Sequence, residues 1–81
     1  IDDNAFRNLK SLIRLFLQYN QLTLINNRLF RNLIHLNALF LNGNQIEFID
    51  ENAFKNLNEL QILDLNNNRI KKINQHLLNG L

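Results

Sequence analysis

The chain has 81 residues, 46% of them hydrophobic and 20% charged, with a formal net charge of +2, two Gly and no Pro, Cys, Met or Trp. That length holds one small domain with a marginal core, and the missing cysteines exclude both a disulfide framework and a thiolate zinc site. Nine basic against seven acidic residues make no electrostatic footprint for nucleic acid or anionic lipid.

No apolar run approaches the ~18 residues of a membrane span, so direct membrane insertion is not expected. The opening Ile1-Asp2-Asp3-Asn4 carries neither an initiator Met nor the pattern of a signal peptide, and a slice from a longer chain is expected.

Leu and Asn dominate with 18 and 17 copies, and the chain is similar to itself at a shift of 24. An opening stretch over 1–11 carries Ile1, Phe6 and Leu9. The first full unit starts at Leu12 and runs through Leu15, Leu17, Asn20, Leu22, Ile25, Phe30 and Leu33. The second starts at Leu36 and continues with Leu39, Leu41, Asn44, Ile46, Ile49, Phe54 and Leu57. The third starts at Leu60 and continues with Leu63, Leu65, Asn68, Ile70, Ile73, Leu78 and Leu81. The register never slips, and Ile1, Phe6 and Leu9 fall in the columns of Ile25, Phe30 and Leu33.

Side chains alternate along a strand, so Leu15 and Leu17 can face inward only if Arg14, Phe16 and Gln18 face outward. Each unit therefore supplies one short strand. Strands repeated in register stack as a parallel sheet with rungs ~4.8 Å apart, and the remaining residues return on the far side as the crossover that parallel pairing needs. The interior fills with columns of Leu, Ile and Phe, among them Phe6, Phe30 and Phe54. Asn20, Asn44 and Asn68 mark a sharp turn after each strand, where an amide can both donate to and accept from backbone groups left inside the coil. The spacing of Phe54 and Leu57 fits one inward-facing turn of irregular or short helical structure. Arg7, Arg31 and Lys55 share a column just after the Phe and form a basic ridge, read as a solvated face or as a contact for an acidic partner.

This pattern resembles the leucine-rich repeat family over the whole chain, and its length of 24 with a late Phe is similar to the typical subclass. That subclass occurs in Toll-like receptor, adhesion and matrix-proteoglycan ectodomains. Asp2, Asn26, Asp50 and Asn74 stand where the family often has Pro, and Leu78 replaces the Phe of the column. The resemblance implies an α/β solenoid, with short parallel β-strands on a concave face and irregular or short helical turns on a convex one. It implies a single array over 1–81, with a partial repeat at 1–11 and repeats starting at 12, 36 and 60. The cysteine-rich caps of secreted members are absent, so the Leu-lined ends are expected to permit self-association. An extracellular or cell-surface location and a protein ligand follow from the resemblance alone.

The outward positions of the strands form columns of their own: Arg14, Ala38 and Ile62; Phe16, Phe40 and Asp64; Gln18, Asn42 and Asn66; and Tyr19, Gly43 and Asn67 at the edge. An apolar centre of Phe16, Phe40, Ala38 and Ile62 with a polar border has the anatomy of an interface. The competing reading is a Phe16–Phe40 cross-strand pair that only supports the sheet. Asn42-Gly43 alone would signal a hairpin, but the repeat overrides it, and Tyr19 and Asn67 in the same column argue that Gly is not required.

Catalytic chemistry has little to work with. The hydroxyls are Ser11, Tyr19 and Thr23, there is no thiol nucleophile, and His35 and His76 occupy tolerant surface columns. Asp2-Asp3 and Asp50-Glu51 are read as turn starters and not as a catalytic dyad. No phosphate-binding glycine loop, metal-ligand spacing or Asn-x-Ser/Thr site is present, and no cofactor is expected. The residues point to a non-catalytic protein-interaction module, with a structural spacer or an intracellular scaffold segment as alternatives.

Overall fold

A computed structural model describes residues 2–71. Ile1, Ile73, Asn74, His76, Leu78 and Leu81, which the repeat assigns to columns, lie outside the described residues. Five strands occur in chain order: β1 (Arg14–Phe16), β2 (Leu24–Ile25), β3 (Ala38–Phe40), β4 (Phe48–Ile49) and β5 (Ile62–Asp64). β1, β3 and β5 form one parallel sheet with β3 in the centre, and β2 pairs with β4 in a second.

The sheet register is the repeat itself. Arg14 pairs with Ala38 and Ala38 with Ile62, Leu15 with Leu39 and Leu63, and Phe16 with Phe40 and Asp64. Backbone bonds continue beyond the strands as Leu17 N–H donates to Phe40 O at 2.9 Å, Tyr19 to Asn42 O at 3.0 Å and Leu41 to Asp64 O at 2.9 Å. The second sheet, which the repeat pattern does not anticipate, extends this ladder around the turn through Gln45 N to Leu22 O, Glu47 N to Thr23 O and Asp50 N to Ile25 O.

The return segments contain no helix among the described residues. Each winds through successive turns three residues apart, such as Ala53 N to Asp50 O, Lys55 N to Asn52 O, Leu57 N to Phe54 O and Leu60 N to Leu57 O. Asp2, Asn26 and Asp50 start these turns, their side-chain oxygens accepting from the backbone N–H groups of Asn4, Arg28 and Asn52. A carboxylate or amide that accepts from the residue two ahead fixes a turn without the ring of a proline.

The interior is the stack of columns. Ile25, Phe30, Leu33, Leu36, Leu39, Leu41 and Ile46 are fully enclosed, while Leu12, Leu15, Leu17, Leu63, Leu65 and Ile70 pack against them half-buried. Each fully buried side chain of this kind contributes roughly 1.5–3 kcal/mol. Ring centroids step 4.8 Å from Phe16 to Phe40 on the sheet face, but 6.1 Å from Phe6 to Phe30 and 6.4 Å from Phe30 to Phe54 on the return side. Coils that lie closer on one side than the other must fan, and the solenoid curves with its sheet concave.

Candidate functional site

The asparagine turn positions the edge of the concave sheet. Asn44 Nδ2 donates to Leu17 O of the preceding coil at 3.0 Å and to Leu41 O at 2.9 Å, while its Oδ1 accepts from Leu22 N at 3.1 Å. Asn68 repeats the pattern toward Leu41 O, Leu65 O and Ile46 N. Asn20 makes only the bonds within its own turn, to Leu17 O and Gln18 O, and is exposed. Asn44 alone of the three is buried, since its turn lies between those of Asn20 and Asn68.

On this frame Phe16 and Phe40 stack at 4.8 Å with 3° between their planes. Phe16 remains 58% exposed and Ile62 49%, while Phe40 between them is half-buried. Ala38, expected at the surface, is instead buried at 2%, since its methyl is too short to emerge between the in-register side chains of Arg14 and Ile62. The polar border is uneven. Arg14 and Asn66 are exposed, Gln18 and Asn42 are half-buried, and Asp64 Oδ1 is turned to its own turn, accepting from Asn66 N at 3.0 Å.

At the rim, Tyr19 is 75% exposed and has a left-handed backbone (φ 59°), as do Gly43 (φ 74°) and Asn67 (φ 58°). The expectation that this column does not require Gly is corrected at residue 43. A Cβ there would collide with the ring of Tyr19, 2.6 Å from Cε1, so the missing side chain is what seats the tyrosine on the next rung.

Three further features escape a reading by columns. Leu24 and Phe48 pair across β2 and β4 with both side chains exposed, and Lys71 Nζ lies 5.7 Å from the Phe48 ring centre while also reaching Glu47 at 3.7 Å. Their signal was present as an apolar pair one repeat apart. A second asparagine column bridges the convex side, Asn32 Nδ2 donating to Arg7 O at 3.3 Å and Asn56 Nδ2 to Arg31 O at 3.1 Å. His35, placed by the sequence in a tolerant surface column, stands 3.3 Å from Glu59 Oε2, because the two occupy one column on neighbouring coils.

Both partners of that pair are exposed, and they line a depression of about 520 Å³ with Ser11, Ile13, Arg14 and Asn37. Among the described residues Ser11 makes no hydrogen bond to His35 there. Among the described residues no group of three or more His, Cys, Asp or Glu could hold a metal ion.

The comparisons with known proteins agree with this geometry. The family model described as "Leucine rich repeat" matches residues 1–46 and 34–81. Among curated proteins none matches the sequence significantly. Among solved structures, a chain of a TLR13–ssRNA13 complex superposes with a TM-score of 0.92 at 33% identity, covering 100% of this chain and 11% of that one. This chain thus spans about a ninth of the receptor chain it resembles. Coils of 24 residues in strict register, an asparagine at each turn and a family match over the full length have one meaning: the chain belongs to the leucine-rich repeat family.

Proposed function

We propose that the chain is a non-catalytic interaction module of a receptor-type ectodomain, which binds a protein ligand across its concave sheet. The carrying observation is the apolar centre of exposed Phe16 and Ile62 around half-buried Phe40, on a sheet held rung to rung by backbone bonds. Such a surface is rigid before binding, so little ordering opposes association. Arg14, Asn66 and Asp64 border it, and Tyr19 on its Gly43 seat supplies an aromatic rim. Aromatic anchors ringed by polar side chains carry most of the affinity in protein interfaces.

Stacking between Phe16 and Phe40 satisfies one ring face each, and it favours the spacer reading to that extent. It leaves more than half of Phe16 facing solvent. Net charge is too weak a ground to set nucleic acid aside, and the similar TLR13 chain is in a complex with ssRNA13, so single-stranded RNA belongs in the test.

Binders selected from a displayed random-peptide library should lose about tenfold or more in affinity when Phe16→Ser and Phe40→Ser are combined in a folded chain. Selected binders that ignore both changes would refute the concave centre. Tighter capture of a single-stranded RNA than of any selected peptide would move the ligand class to nucleic acid.

A further inference from the structure

The convex face carries a second surface, chemically opposite to the first. Arg7, Arg31 and Lys55 follow Phe6, Phe30 and Phe54 in the sequence, so they stand one per coil along the outside of the solenoid, and all three are exposed. None forms an ion pair among the described residues, whereas Arg28, His35 and Lys71 are each within reach of a carboxylate. Between Arg31 and Lys55 lies a cleft of about 200 Å³ walled by Asn27, Asn52, Asn56 and Ala53, with no acidic residue in its lining. Asn56 Nδ2 bonds to Arg31 O and ties the two coils together at the cleft.

The spacing selects the ligand. The phenylalanine rings beneath the ridge step by 6.1 and 6.4 Å, and each cation follows its ring by one residue, so the ridge repeats with the coils. Alternate residues of an extended chain lie on one side about 6.6 Å apart, at a rise of ~3.3 Å per residue. We propose that the ridge of Arg7, Arg31 and Lys55 binds an extended acidic peptide, its carboxylates at alternate positions and one over each coil. Guanidinium groups suit carboxylates by their paired donors, and the Asn27, Asn52 and Asn56 amides can donate to and accept from the peptide backbone between them. No aromatic side chain stands in the cleft lining, so nucleic-acid bases would find no stacking platform there.

The test uses the whole chain and two labelled synthetic peptides of equal composition, one with three glutamates at alternate positions and one with them contiguous. Anisotropy at low salt should show the alternating peptide bound about fivefold more tightly, and Arg31→Gln with Lys55→Gln should abolish that preference. Equal affinity for the two spacings, or indifference to the double change, overturns the proposal. So does a single-stranded oligonucleotide of equal charge that binds more tightly than the alternating peptide. Phe16→Ser with Phe40→Ser on the opposite face should leave the peptide affinity unchanged, so this surface and the concave one fail separately.

Discussion

The two faces of the solenoid are made from the same 24-residue step and are held together differently. On the concave side and around the adjoining turn, neighbouring coils exchange backbone bonds, from Leu17 N to Phe40 O through Gln45 N to Leu22 O and Asp50 N to Ile25 O. On the convex side, among the described residues, each coil spends its backbone bonds within its own turns, and coils meet through side chains such as the stacked phenylalanines and the Asn32 and Asn56 bridges. Ladder bonds set the short spacing and packed rings the longer one. Curvature is the difference between them, and it places a stiff apolar sheet on one side and a fanned row of cations on the other.

The largest effect should come from the core the faces share. Leu39→Ala empties the centre of the enclosed stack and should cost about 2–5 kcal/mol in a chemical melt; the same change at half-buried Leu15 should cost clearly less. A smaller break lies in the concave turn. Asn44→Leu leaves Leu17 O and Leu41 O their bonds from Asn20 and Asn68 but orphans the buried Leu22 N–H, for a cost of about 1–3 kcal/mol.

Gly43→Ala should follow at about 1–2 kcal/mol, from the left-handed backbone and the displaced Tyr19 ring, and the loss should shrink when Tyr19→Ala is added. Thermal melts of the single and double variants read that coupling. On the convex side Asn56→Ala removes an exposed bridge and should shift the melt by about 0.5 kcal/mol or less. A loss there as large as that at Asn44 would erase the distinction between the faces.

Much of this was legible in the residues. Columns of Leu15, Leu39 and Leu63 fix the parallel register outright, since a slip by one residue would turn every inward leucine to solvent. Asn44 announces its hydrogen bonds because an amide can serve carbonyls and an N–H at once at a buried turn. β2 and β4 were legible only as the apolar pair Leu24 and Phe48 one repeat apart: two residues are too few for an alternation, and both face outward, off the columns that define the core. Exposure also depends on neighbours and not on the column. Ala38 is covered where Ile62 in the same column is not, and a side chain at residue 43 would displace the Tyr19 ring although Tyr19 and Asn67 carry side chains in the same column.

Native-state hydrogen exchange tests the difference between the two faces most directly. Gln45 and Glu47 donate across coils at 2.9 Å, while Arg31 and Lys55 donate within their own turns at 3.4 and 3.2 Å. Gln45 and Glu47 should exchange together with the amide of Leu41, which continues the ladder beyond β3, and Arg31 and Lys55 should exchange faster by about tenfold or more. Equal protection of both pairs would contradict it, because the convex turns would then open only with the ladder.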